Sequence, residues 1–392
     1  MNTISSDNNA MIYLDHPATS WPKPPEVAAA MLNFLQNVGA NPGRSGHRLS
    51  VEAARIVFAA REAVAELFGC EDALRVVFGA NVTWALNQAL HGYLRAGDHV
   101  ITSGMEHNSM MRPLRDLERQ GVEVSVVPCG QAGRLDAQRV EDALRDNTVM
   151  VALNHASNVS GTILPVREVG EITRRRGIML LVDAAQTGGT LPVDMRRDQI
   201  DLLAFTGHKG LLGPMGTGGL ILGERVDLGR LRPVLQGGTG SRSESEIHPD
   251  FLPDRFESGT PNGVGLAGLN AGVRVVLARG VESIRAHEQR LCAQLLAELQ
   301  QIGRARLYGP LDPGERVAVV SFNLEGLEPS QVGLRLDEEF NILCRVGLHC
   351  SPAAHRSLGS LPRGTVRFGI GFFTSAEDVD AALRAVERIA ND

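Results

Sequence analysis

The chain has 392 residues, 43% of them hydrophobic, with 39 basic and 45 acidic side chains interspersed for a net charge of −6. That length can bury a large core and suits two domains, and the absence of a basic stripe argues against a nucleic-acid partner. Residues 1–10 are polar and read as a disordered lead-in without a signal-peptide layout, no apolar run reaches membrane-spanning length, and five scattered cysteines (Cys70, Cys129, Cys292, Cys344, Cys350) suggest reduced thiols. A cytoplasmic protein with no membrane contact is the expectation.

In chain order, a helix is expected from about Val51, with Ser50 as N-cap, Glu52 in its first turn and Gly69 as its stop. Strand-like runs then alternate with helical patterns: Arg75–Phe78, followed by a helix Trp84–Leu94, then His99–Thr102, Glu123–Val127, Val149–Leu153, Ile178–Val182, Leu202–Phe205 and Gly219–Leu222. Such alternation predicts an α/β fold with a mostly parallel seven-stranded sheet covered by helices on both faces. After Gly280 the pattern changes to a long amphipathic stretch Val281–Ile302, strands Val317–Leu324 and Gly364–Gly369, and a closing helix from Ala376. The expected division is therefore a large domain over 11–280 and a smaller C-terminal α+β domain over 281–392. Gly263-Val-Gly-Leu-Ala-Gly268 matches a dinucleotide fingerprint but follows no strand and falls in an expected helix, so no dinucleotide is assigned to it.

Parallel strands bind ligands where they end, because loops and helix N-termini converge there. Thr206-Gly-His-Lys209 follows one apolar run and presents an amine, and 26 residues upstream Ile178-Met-Leu-Leu-Val182 ends on Asp183. An amine that condenses with an aldehyde, and a carboxylate that keeps a pyridine nitrogen protonated, are what pyridoxal phosphate requires of a protein. Thr83 and the backbone amides around Asn81 and Val82 open a helix that could hold a phosphate. His107, in Glu106-His-Asn108, could stack on a flat ring, and Asn158 could donate to a phenolate oxygen. Each has an ordinary alternative when taken alone: a loop cation, an N-cap, a packed histidine, a turn asparagine.

Together these residues resemble the class V aminotransferase-fold family, and within it the cysteine desulfurase/selenocysteine lyase group. The resemblance runs through Tyr13–Ser20, Asn41–Ser50, Glu106–Ser109, Asn158–Thr162, Val182–Gln186, Thr206–Gly210, Gly237–Gly240, Phe256–Asn262 and Arg345–Cys350, nine stretches in the family's order. It implies a fold-type I homodimer with pyridoxal 5'-phosphate on Lys209, Asp183 on the pyridine nitrogen and His107 over the ring. It further implies that Asn158 and Gln186 approach the ring hydroxyl. The phosphate falls to Thr83, Thr206 and His208, completed by Thr239 of the partner subunit.

Two more residues fix the reaction that the resemblance implies. Cys350 falls at the family's persulfide-forming nucleophile and Arg367, with Asn158, at the anchor of the substrate carboxylate. A thiolate beside cations suits attack on sulfur, and arginine suits a carboxylate. L-cysteine or L-selenocysteine is the implied substrate, alanine the product and a sulfur-acceptor protein a possible partner. A C–S lyase, epimerase or aminotransferase that does not use Cys350, and a non-catalytic scaffold in a sulfur relay, stay open as alternatives. His349, Cys350 and His355 lack a fourth ligand, so no metal is expected. Three departures stand out: His16-Pro17 where the family has Asn-Ala, Trp84 where it has Glu, and only 17 residues from Cys350 to Arg367.

Overall fold

The computed structural model describes residues 11–43 and 45–392. The polar residues 1–10, expected to be disordered, and Arg44 of the Asn41–Ser50 stretch lie outside the described residues.

All seven strands expected in the first part of the chain join one sheet, in the order Val76–Gly79, Gly218–Leu222, Leu202–Thr206, Met179–Asp183, Thr148–Asn154, His99–Ser103 and Glu123–Val127. The last five are parallel to their neighbours, whereas Gly218–Leu222 runs antiparallel to both of its partners. The sheet is of the mostly parallel type read from the sequence. Strands such as Met179–Asp183 and Leu202–Thr206 are buried along their whole length, which is why they read as unbroken apolar runs rather than alternating ones. Each fully buried Leu or Val there stabilises the fold by about 1.5–3 kcal/mol.

A second, four-stranded antiparallel sheet is ordered Arg345–Gly347, Thr365–Gly369, Val319–Leu324 and Ala305–Tyr308. The helices Val281–Leu299, Pro329–Phe340 and Ala376–Asn391 share its core. Leu14 belongs to that core, Ile12–Tyr13 pairs with Ile342–Leu343, and Asp15 bridges to Gly369. The N-terminal segment is thereby anchored beside Arg367 before it crosses to the Lys209 loop.

Local details differ from expectation: the helix expected over Trp84–Leu94 spans Val82–Tyr93, the second sheet gains the unexpected strands Ala305–Tyr308 and Arg345–Gly347, and one helix has a different cap. The helix expected from Val51 begins at Arg48, because the His47 ring and not Ser50 caps it, with Nδ1 accepting from Ser50 N–H at 3.3 Å. Ser50 instead donates its hydroxyl to Asn41 O at 2.8 Å. Gly69 does end this helix, in the left-handed conformation. Gly263–Arg279 is a helix capped by Asn262, so its glycines face neighbouring elements: a Cβ on Gly268 would meet Met31, and one on Gly272 would meet Leu211 O.

Candidate active site

Strand register brings the site together. Gly218 pairs with Gly79 on one side and Thr206 on the other, and a Cβ on Gly218 would lie 2.7 Å from Cα of Asn81. The start of the helix Val82–Tyr93 therefore sits one glycine strand away from the end of Leu202–Thr206. Asn81 caps that helix by accepting from Trp84 N–H at 3.0 Å, leaving the first-turn amides of Val82 and Thr83 to face outward, as at any helix start. Thr206 Oγ1 and His208 Nδ1 are buried without a hydrogen-bond partner among the described residues. Two orphaned polar atoms next to an uncovered helix N-terminus fit a phosphate dianion.

Lys209 follows at the turn. Gly207 is required there, since a Cβ would fall 2.1 Å from Thr217 Oγ1. Loss of hydration pushes the Lys209 amine down to about 8, against the opposing pull of Asp183, while Arg367 and Arg345 lower it further. An amine that is partly neutral near physiological pH can condense with an aldehyde. Asp183 ends the neighbouring strand, opposite Asn154 in register. Its carboxyl is raised by burial, and only Ala185 N–H, at 2.9 Å from Oδ1, and the charge of Lys209 oppose that rise. A protonated pyridine nitrogen would supply the cation this carboxylate lacks, so the donor set fits pyridoxal phosphate at both of its ends.

His107 caps the helix Asn108–Arg119, and its Nδ1 accepts from Ser109 N–H at 3.1 Å. With Nδ1 occupied as an acceptor, the neutral ring carries its proton on Nε2. Burial first, then Lys209, Arg345, Arg112 and Arg367, push His107 down to about 4, so it is neutral at pH 7. Glu106 is fully buried, raised to about 8 by burial, and receives Ser103 Oγ and the Asn154 amide. It ties the His107 turn to the strand that ends beside Asp183.

The Cys350 loop lies directly over this turn. Asn108 N–H donates to Cys350 O at 2.9 Å, and Asn158 Nδ2 donates to His349 O at 2.7 Å. Ser351 Oγ completes the clasp by donating to Asn158 Oδ1 at 2.6 Å. His349 and Cys350 both adopt positive φ, 48° and 58°, an uncommon conformation for residues other than glycine, and Cys350 is exposed. Arg345 Nη2 approaches Cys350 Sγ to 3.6 Å. Arg345 and Arg367 are register partners on adjacent antiparallel strands, and Arg367 is buried. Arg367 donates to Asp15 at 2.5 Å and to Asn158 O at 3.0 Å, and its Nε is buried without a partner.

Gln186 lines a cavity of about 50 Å³ with Lys209, His16 and Glu288, and its amide donates to Pro17 O at 3.0 Å. His16 is buried edge-on to Tyr13, ring centroids 5.0 Å apart, and burial pushes it down to about 4. Pro17 presses on Gly369, where a Cβ would lie 2.0 Å from its Cδ. Thr239 bonds to Ser241, which in turn bonds to Asp254, so its contacts stay in its own loop. Trp84 covers Gly79, where a Cβ would fall 2.0 Å from the indole. The His349 and His355 rings lie 5.6 Å apart, each bonded to a hydroxyl, Thr365 and Ser360 respectively.

Asn108, Asp15, Arg345 and Ser351 were not assigned roles from sequence, although three of them stand inside the matching stretches. Asn108, Asp15 and Ser351 find their partners far away in the chain, Arg345 meets Cys350 five positions on, and no local periodicity marks any of them.

The fold agrees with what the chain resembles. It is 36% identical over 384 residues to a probable cysteine desulfurase of Methanothermobacter thermautotrophicus, covering 97% of this chain and 94% of that one. It is 33% identical to a cysteine desulfurase of Haloferax volcanii, covering 97% and 90%. A solved apo structure of a cysteine desulfurase from Thermococcus onnurineus superposes with a TM-score of 0.90 at 33% identity, over 97% of this chain and 95% of that one. Residues 12–382 match the family model of the class-V aminotransferases, and the chain belongs to that family.

Proposed function

We propose that this enzyme takes sulfur from L-cysteine, or selenium from L-selenocysteine, releasing L-alanine, with the sulfur held as a persulfide on Cys350. The observation that carries the reading is the double tether of the Cys350 loop, from Asn108 to Cys350 O and from Asn158 to His349 O. A cysteine that served only packing would not be exposed and held by its own backbone to the residue that follows His107.

Pyridoxal phosphate, when bound, supplies an electron sink for the carbanion formed next to the substrate amine. Lys209 would hold the aldehyde, Asp183 the pyridine nitrogen, His107 the ring face, and Thr206, His208, Thr83 and the amides of Val82 and Thr83 the phosphate. The free Lys209 amine, lowered to about 8, would be basic enough to take the α-proton and, once protonated, acidic enough to return it. His107, neutral and with its proton on Nε2, can donate to that end of the site without adding charge. Arg367 would meet the substrate carboxylate through the Nε that now lacks a partner. Cys350 Sγ bonds to the substrate sulfur, the carbon–sulfur bond breaks, and its electron pair with a proton ends on the carbon that leaves as the methyl of alanine. The guanidinium of Arg345 faces the sulfur on which charge changes.

The exposed thiol suits hand-over to an acceptor protein. The homodimer implied by the resemblance is supported by exposed Val234, Leu235 and Ile247 around Thr239, which would bring Thr239 of the partner subunit to the phosphate. The test is to incubate the loaded protein with cysteine or selenocysteine, with and without reductant, and identify the product. Alanine supports the reading; pyruvate or a keto acid assigns the protein to C–S lyase or aminotransferase chemistry instead.

A further inference from the structure

Of the 39 basic residues only two, Lys23 and Lys209, are lysines, and they meet at one peptide group. The carbonyl of His208, which is bonded to the nitrogen of Lys209, receives four donors from a single segment. These are Thr19 Oγ1 at 3.0 Å, Ser20 N–H at 3.0 Å, Ser20 Oγ at 3.2 Å and Lys23 Nζ at 2.8 Å. The Ser20 hydroxyl also reaches Lys209 O at 2.9 Å. Lys23 Nζ donates to that hydroxyl at 2.7 Å, which occupies a lone pair and leaves its proton for the two carbonyls. The segment is itself held in place: Tyr13 donates to Thr19 O at 2.9 Å and Gln186 to Pro17 O.

We propose that Lys23 is a positioning residue for Lys209, its ammonium locking the peptide groups on both sides of the Lys209 Cα so that the Lys209 amine returns to one place at every turnover. Lys23 is half-buried and has no carboxylate within ion-pair distance among the described residues, and burial lowers it to about 8. A cation placed at such a cost on a carbonyl is not a solvated surface lysine. The compact ammonium offers three donors in a tetrahedron and meets a hydroxyl and a carbonyl together, a geometry that the planar fork of arginine does not reproduce. Charge-assisted bonds of this kind are the strong ones. Lys209 would hold the cofactor and move a proton at the same amine, so a backbone that drifts would misplace that amine, and misplacement by about 1 Å can cost about 100-fold in rate.

This inference rests on the proposed use of Lys209, and its test separates the two. Apoprotein of the wild type, K23M, K23R and S20A is mixed with pyridoxal phosphate, trapped with borohydride at successive times and mapped by peptide mass spectrometry. In K23M the only remaining side-chain amine is Lys209. The loaded proteins are then assayed for alanine release from cysteine and from α-deuterated cysteine. We expect K23M to capture the cofactor on Lys209 about tenfold more slowly and to lose about tenfold in kcat. KM should stay near the wild-type value and the deuterium effect should grow, with K23R recovering part of each loss. Wild-type capture rate and kcat in K23M overturn the proposal, as does a change in KM alone. If K23M does not fold, S20A decides: capture rate and kcat should fall together, and wild-type values for both overturn the proposal. A wild type that releases no alanine overturns the functional reading alone, because the capture rates need no substrate.

Discussion

Arg345, at the start of the strand Arg345–Gly347, and Cys350, five positions on, meet guanidinium to thiol at 3.6 Å, with Arg345 itself set by antiparallel pairing to Arg367. The sulfur that changes charge during transfer thus has a fixed cation beside it, carried on a strand and not on the loop. R345A should leave cofactor binding intact and reduce persulfide formation about 10- to 100-fold, the scale of losing one electrostatic contact to a reacting atom. Mass spectrometry of the protein after one turnover measures it. Undiminished persulfide in R345A would show that the contact is incidental.

Asn158 spends its side chain on the Cys350 loop. It donates to His349 O and accepts from Ser351 Oγ, both buried, while Arg367 donates to its backbone oxygen. N158A should cost about 1–3 kcal/mol of stability from the unpaired groups left behind. Amide exchange across 345–355 should rise with it, and sulfur transfer should fall more than cofactor affinity. An exchange pattern identical to that of the wild type would refute the tether.

Much of the architecture was legible because its signals are local. Six of the seven strands of the large sheet are buried and announce themselves as apolar runs, and Lys209, Asp183, His107 and Asn81 all stand where such runs stop. The pairings that complete the site are not local. Arg367 finds Asp15, Asn158 finds the His349 carbonyl and Asn108 the Cys350 carbonyl, each across most of the fold. Helix capping misled in one place, since a histidine ring at position 47 caps the helix that Ser50 seemed to open. The His16-Pro17 departure became interpretable only with Gly371 and Gly369 beneath it, glycines whose missing Cβ atoms make room for the imidazole and the proline ring.

Glu288 offers a pH test. It is buried on the helix Val281–Leu299, lines the cavity that Lys209 also lines, and has no hydrogen bond or ion pair among the described residues. Burial raises its carboxyl from 4.5 to about 8, with Arg285 opposing. The folded protein keeps this proton to higher pH than the unfolded chain does. The stability it contributes is therefore complete below the unfolded value and is lost as pH rises through the folded one. E288Q does not titrate, so its melting temperature relative to the wild type should climb between pH 5 and pH 8, at up to about 1.4 kcal/mol per pH unit. A difference that stays flat across that range would contradict the assignment.

Cys350 accepts the sulfur in the proposed reaction, and C350S isolates that role because Lys209, Asp183 and the phosphate contacts are left untouched. Alanine release from cysteine is measured for wild type and C350S, together with the mass of the Cys350 peptide. The expected result is a persulfide on Cys350 in the wild type and, in C350S, normal cofactor binding with collapse of alanine formation from cysteine. Turnover of selenocysteine should fall less than that of cysteine, since its weaker carbon–selenium bond can break without a protein nucleophile. Full cysteine-to-alanine activity in C350S would remove Cys350 from the mechanism and contradict the account.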